Sequence, residues 1–242
     1  MDVTLDRTIR DIVANDFRTA AIFQRYGLDF CCRGNRTVEQ ACVEAGIQAD
    51  AVQRDLEDAT ALPQVGCAPR FNSWDLPSLI TYIVSNHHGF VRAQMPVIQG
   101  HADKVARVHG ARHPEMVRVA GIFEQVVGEM TGHMMKEEQI LFPFITRLAE
   151  SVEAGAGAPP APFGTVQNPI RMMELEHESA GDALAEIKQL TNGYRPPEDG
   201  CGTFVVLLQE LEAFEEDLHR HVHLENNILF PKALRLESGG NA

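Results

Sequence analysis

The sequence predicts an all-α protein: an up-down four-helix bundle preceded by a small helical domain. Three observations carry this reading. Long stretches repeat apolar residues at helical spacing, strand-like alternation is scarce, and one helical segment recurs later in the chain at a fixed offset. The 242 residues, 44% hydrophobic and 23% charged, suffice for a core in one large domain or two smaller ones.

In residues 1–60, Leu5, Ile9 and Ile12/Val13 recur at helical spacing, and Ala20 to Tyr26 continues until Gly27 offers a left-handed stop. Thr37 and Gln40 have the spacing of a capping box, opening a helix that Gly46 should close. A further short helix is expected from Ala51 to Ala59, and Cys31-Cys32-Arg33-Gly34 falls on a loop. Residues 61–75 carry Pro63, Gly66, Pro69 and Asn72 and read as a linker. The bundle is expected over 76–237, with helices at about 76–100, 114–150, 168–192 and 202–236. A Gly/Ala/Pro-rich insert at 154–162 reads as a mobile connection between the second and third.

Thirty-four acids against 21 bases give a net charge of −13, which repels phosphate backbones and anionic membrane surfaces. Nucleic acid is therefore excluded as a natural partner. The longest apolar runs, such as Leu79 to Val84, fall far short of the ~20 residues that span a bilayer. Acids stand near Met1 where a secretory signal carries positive charge, so a cytoplasmic protein is expected. The five cysteines show no Cys-x-x-Cys; Cys42, Cys67 and Cys201 read as structural.

The second and fourth bundle helices match at an offset of 88. His133, Glu137, Ile140, Leu141, Phe142 and Pro143 fall on His221, Glu225, Ile228, Leu229, Phe230 and Pro231. His88 and His177, 89 apart, occupy the first and third helices. Residues four apart share a helix face, so each His-x-x-x-Glu aims an imidazole and a carboxylate at one point. Four imidazoles and two carboxylates inside a bundle are costly to bury without a cation. Nitrogen and oxygen ligation without thiolate suits iron, or manganese as a substitute. Two irons sharing both glutamates and an oxo or hydroxo bridge would keep about two positions open for a small ligand. Register alone leaves open whether His88 or His87 faces inward.

Other features are weaker. Glu174-x-x-His177 has no second copy. Glu138, Glu176 and Glu178 could orient imidazoles, although a solvated acidic face is the simpler reading. Met134, Met135, Met172 and Met173 read as packing, and His101, His109, His113, His219 and His223 as surface residues. Cys31 and Cys32 suit a redox or iron-transfer pair as well as two structural thiols, with Arg33 and Arg36 placed to favour thiolate.

Leu28-Asp29-Phe30-Cys31-Cys32-Arg33-Gly34, His133 to Pro143, Glu176-His177-Glu178 and His221 to Asn227 together resemble the repair-of-iron-centres di-iron proteins, the YtfE, ScdA, DnrN and NorA proteins with a hemerythrin-like bundle. The resemblance covers nearly the whole chain. It selects His88, eight residues before Pro96, over His87, and carries the metal ligands onto His88, His133, Glu137, His177, His221 and Glu225. It implies two iron ions in an oxo- or hydroxo-bridged centre. The implied function is repair of iron–sulfur clusters damaged by nitric oxide or oxidative stress by donating iron, rather than turnover as an enzyme. Alternatives are a protein that binds or reduces nitric oxide or nitrite, and a nitric oxide or oxygen sensor. The implied partners are iron–sulfur proteins with damaged clusters and small ligands such as nitric oxide or oxygen, with no membrane and with a homodimer left open. The longer insert and Ser179, where the family pattern has an acid, depart from the resemblance without touching a ligand position.

Overall fold

The computed structural model describes residues 4–61 and 70–239. Among these the only bridge outside helices pairs Thr8 with Thr37, and no strand forms. The linker expected at 61–75 lies largely outside the described residues, as does Cys67.

Four short helices build the N-terminal domain: α1 (Ile9–Asn15), α2 (Ala20–Arg25), α3 (Val38–Ala45) and α4 (Ala49–Ala61). The expected capping box forms. Thr37 Oγ1 accepts the Gln40 amide at 3.1 Å and Gln40 Oε1 accepts the Thr37 amide at 3.0 Å. Gly46 closes α3 at φ +68° and Gly27 follows α2 at φ +66°, the left-handed region that glycine enters without a Cβ penalty. Gly34 is required for another reason: a Cβ there would stand 2.6 Å from the Phe30 carbonyl oxygen.

The bundle comprises four rods. The first is α5 (Leu76–Tyr82), a π turn (Ile83–His88) and α6 (Gly89–His109). The second is α7 (Glu115–Lys136), a π turn (Glu137–Leu141) and α8 (Phe142–Glu153). The third is α9 (Gln167–Leu190). The fourth is α10 (Gly202–Leu224), a π turn (Glu225–Leu229) and α11 (Phe230–Glu237). α6 packs on α7, α7 on α9, α9 on α10 and α10 on α6, so the rods close a ring in chain order. The first rod runs nine residues past the expected end at 100, because Ala102 and Val105 continue its buried stripe and a helix tolerates one glycine.

The apolar interior falls into two clusters. One joins the N-terminal domain, through Phe23, Phe30 and Leu56, to Met95, Phe123, Leu211 and Phe214 of the bundle. The other gathers Leu79, Ile83, Phe142, Phe144, Leu229 and Phe230 at the opposite end. A layer of buried histidine and glutamate lies between them. Each fully buried phenylalanine contributes about 1.5–3 kcal/mol, so the flanking clusters are well placed to offset the desolvation of that layer.

The N-terminal domain docks on the fourth rod. Arg10 Nε donates to Asn227 Oδ1 at 2.9 Å, and Asn227 Nδ2 donates to the Phe30 carbonyl at 3.0 Å. Asn226 Nδ2 donates to the Cys31 carbonyl at 3.3 Å, and the rings of Phe17 and Phe30 flank His223. The end of the expected linker is tied as well: Asn72 Nδ2 reaches the Ala14 carbonyl at 2.6 Å, and Lys232 Nζ reaches that of Trp74, also at 2.6 Å.

Candidate metal centre

Both His-x-x-x-Glu segments lead into π turns. The Phe142 amide bonds the Glu137 carbonyl, and the Phe230 amide bonds that of Glu225, each five residues back. A proline follows directly after the first residue beyond each of these two turns, although the turn at Ile83–His88 has none and Pro96 is accommodated inside α6. Pro143 and Pro231 have no N–H, and in a regular α-helix their rings would strike the carbonyls of Gln139 and Asn227. The wider turn relieves that clash and lets each glutamate leave the helix toward the bundle axis.

Six buried side chains meet there as two groups, His88, Glu137, His221 and Glu225, and His133, Glu137, His177 and Glu225. Both glutamates belong to both groups. His88 Nε2 is 3.1 Å from His221 Nε2 and 3.4 Å from Glu137 Oε2. His133 Nε2 is 3.0 Å from His177 Nε2 and 3.3 Å from Glu137 Oε2. Glu225 Oε1 is 3.0 Å from His221 Nε2, and its Oε2 is 3.1 Å from His177 Nε2. The expected convergence is therefore present in the fold. His87 is also buried but turns away, its Nδ1 3.0 Å from Asp217, with its ring stacked on His221.

The outer ring nitrogens are held from behind. His88 Nδ1 lies 2.6 Å from Glu138 Oε1, which also takes Arg92. His133 Nδ1 lies 2.9 Å from Glu176 Oε2, whose other oxygen takes Lys136. His177 Nδ1 lies 2.9 Å from Asn226 Oδ1. With Nδ1–H donating outward, Nε2 presents a lone pair to the centre, the tautomer a metal requires. Two such lone pairs facing at 3 Å repel unless a cation or proton stands between them. Glu137 Oε1 and Oε2 and Glu225 Oε2 have no hydrogen-bond donor, and His221 Nδ1 has no partner. Buried carboxylate oxygens without donors are expensive, so the donor set fits a cation.

Electrostatics agree. Burial alone would depress His88, but Glu137 and Glu225 outweigh it and push its pKa up to about 10. His133 is raised in the same way to about 9, again against burial. Burial opposes ionisation of both glutamates, yet the facing imidazoles hold Glu137 below the usual range and Glu225 well below it. Without metal, protons on imidazole stand where cations would.

Several other expectations change. Glu138 and Glu176 back the imidazoles, whereas Glu174 and exposed Glu178 belong to neither group. Ser179 bonds Glu129 at 3.2 Å. Met134 and Met173 are buried, but Met135 and Met172 are exposed. His223, expected on the surface, is 2% exposed because the N-terminal domain covers it, and His219 is partly buried beside Phe30. Cys201 is exposed at the start of α10, 3.1 Å from His109 Nε2, not a buried structural thiol. Asn226 and Asn227 carried no metal signal in the sequence; their mismatch with Glu138 and Gln139 in the repeat was the available clue.

Cys31 and Cys32 are free thiols with Sγ atoms 3.7 Å apart. Asp29 Oδ1 accepts both their amides at 2.9 Å and the Cys31 thiol at 3.2 Å. The expected arginine effect fails at Cys31. Its hydrogen bond with Cys32, burial and the Asp29 carboxylate push the thiol well above its ordinary range, while Arg36 is held by Glu44.

Among the described residues no helix is long and apolar enough to cross a membrane. The hemerythrin HHE cation binding domain pattern matches residues 79–233, and the ScdA N-terminal domain, a domain of unknown function, matches 5–60. The chain is 37% identical over 220 residues to the iron-sulfur cluster repair protein YtfE of Yersinia pestis (strain Pestoides F), covering 91% of this chain and 93% of the relative. The YtfE protein of Yersinia pseudotuberculosis serotype O:1b (strain IP 31758) matches with the same identity and coverage. With its two domain patterns, its buried histidine–glutamate layer and this similarity along nearly its full length, the chain belongs to the repair-of-iron-centres family, the YtfE-like proteins that carry a hemerythrin HHE domain.

Proposed function

We propose that the chain is a di-iron protein that restores iron–sulfur clusters damaged by nitric oxide or oxidants by donating iron, with damaged iron–sulfur proteins as its partners. In this reading residues 1–60 form the domain that presents Cys31-Cys32, 61–75 the connection, and 76–237 the iron-carrying bundle. The observation that carries it is the pair of four-residue groups sharing Glu137 and Glu225, in which both Glu137 oxygens and Glu225 Oε2 are buried without a hydrogen-bond donor. The names of the relatives supply the substrate class.

His88 and His221 would hold one iron and His133 and His177 the other, with Glu137 and Glu225 shared and an oxo or hydroxo bridge completing the centre. Bound iron supplies affinity for small ligands such as nitric oxide or oxygen, and a redox change that alters how firmly it is held. Glu138, Glu176 and Asn226 fix the imidazole tautomers. When iron is given up as cargo, His88 and His133 take up protons at Nε2, stabilised there by Glu137 and Glu225. The two protons balance the two carboxylate charges that remain, so Glu137 and Glu225 are never left facing apolar walls alone.

The test is transfer. Protein loaded with labelled iron is mixed with an iron–sulfur enzyme inactivated by nitric oxide, and both label and activity are followed in the separated enzyme. The reading expects label in the rebuilt cluster and recovered activity. Recovery without label, or neither, would overturn iron donation.

A further inference from the structure

We propose that Asp29, Cys31, Cys32 and His219 form a second metal site, thiolate-based and distinct from the histidine–glutamate centre, that takes a borderline divalent cation such as Fe(II), Co(II) or Zn(II). Three of these residues already have the spacing of ligands. Their donor atoms lie within 4.8 Å of one another. Two thiolates 2.3 Å from one tetrahedral metal stand about 3.8 Å apart, and the Cys31 and Cys32 Sγ atoms are 3.7 Å apart. The backbone therefore does not have to rearrange to chelate through both sulfurs.

The fourth donor comes from the bundle and stands outside the 4.8 Å group, so its ring must swing toward the thiols to complete the site. His219 on α10 lines the same cavity, of about 580 Å³, as Asp29, Cys31 and Cys32. Its ring sits edge-on to Phe30, and its Nδ1 is buried with no hydrogen-bond partner. A neutral imidazole nitrogen without a donor beside a dithiol is an available ligand. Exposed Glu178 and Asp182, which also line the cavity, favour an arriving cation. Binding displaces the two thiol protons to solvent; no oxidant or reductant is needed.

The position gives the site a use. Gly181 is one helical turn after His177, and a Cβ there would come within 3.9 Å of Cys32 Sγ. Asn226 accepts from His177 through Oδ1 and donates to the Cys31 carbonyl through Nδ2. The dithiol is thus linked to the centre through Asn226 and the His177 helix, a place suited to receive outgoing iron. That use rests on the iron-donation reading above; the metal site itself does not.

The test uses Co(II) added without oxygen to the reduced, iron-loaded full chain. The histidine–glutamate centre holds no sulfur, so thiolate-to-cobalt absorption in the near ultraviolet reports binding outside that centre, and the variants assign it to the dithiol. We expect this absorption in the wild type with one cobalt bound, its loss in Cys32→Ser with iron content unchanged, and roughly tenfold weaker binding in His219→Gln. Asp29→Asn keeps the acceptor for the two amides but removes the charge, and should weaken binding similarly. No thiolate absorption in the wild type, or absorption that survives Cys32→Ser, would overturn the site; in the second case Cys201 with His109 is the source to examine. Unchanged affinity in both His219→Gln and Asp29→Asn would overturn the four-ligand assignment. Cobalt binding that fails while labelled iron still moves to a damaged enzyme would overturn this site and leave the donation reading intact.

Discussion

The two copies of the His-x-x-x-Glu segment agree at six of eleven positions but stand in different surroundings. Residues 221–230 are buried without a break: the N-terminal domain lies over His223, Asn226 and Asn227, while His221 and Glu225 face the centre and Leu229 and Phe230 the apolar core. In the other copy Met135 and Ile140 are half exposed, and Glu138 and Gln139 reach solvent. The backing groups follow this difference. Open to water, Glu138 supports His88 as a carboxylate shared with Arg92. Covered, the equivalent Asn226 supports His177 as a neutral amide and uses its other end to hold Cys31. A carboxylate at 226 would have to be buried against a carbonyl oxygen, which is why the repeat changes there.

The largest expected effect is shared by both copies. Glu137→Ala and Glu225→Ala each remove a group common to both quartets, so each should abolish stable iron binding, as metal analysis after desalting would show. Retention of full iron by either variant would break the equivalence of the copies. Next come the backing groups. Asn226→Asp should destabilise the protein by about 2–4 kcal/mol, read by denaturant unfolding, whereas Glu138→Gln should leave stability nearly unchanged and weaken metal affinity about 10–100-fold. Equal stability losses would contradict the covered-versus-open distinction.

Much of this was legible in sequence, for local reasons. The Thr37/Gln40 cap, the Gly27 and Gly46 stops and the four rods follow from neighbours along the chain. His133, Glu137, His221 and Glu225 follow from a repeat whose period places them on matching faces, with His177 at the corresponding place in the third helix, whereas the choice of His88 over its neighbour His87 came from the family resemblance. The π turns were hidden because four-residue spacing reads as ordinary helix and proline is no sure sign of them: Pro143 and Pro231 follow two of the turns, whereas Pro96 sits inside α6. Docking of the N-terminal domain was also hidden. Arg10 and Asn227, or Cys31 and Asn226, are about two hundred positions apart and follow no periodic pattern. The burial of His223 was therefore missed with it.

Acidity separates the metal-free from the loaded state. His88 and His133 have folded-state pKa values raised to about 10 and 9. A raised histidine contributes stability fully below its unfolded value near 6.5 and loses it as pH climbs through the folded value. Metal-free protein should thus lose thermal stability progressively from about pH 6.5 to 10, while loaded protein, with those nitrogens occupied, should change little. Parallel melting curves for the two forms across that range would contradict proton-for-metal exchange.

The smallest effect compares matched isoleucines. Ile140→Thr, on the half-exposed copy, should change stability within about 0.5 kcal/mol, and Ile228→Thr, on the covered copy, should cost about 1–3 kcal/mol. Equal costs would mean that the N-terminal domain does not cover the second copy in solution.

The most direct test of the central claim is iron analysis combined with Mössbauer spectroscopy on the full chain purified without oxygen. Two irons per chain, magnetically coupled once oxidised, is the predicted result. A single zinc, or one isolated iron, would contradict the account.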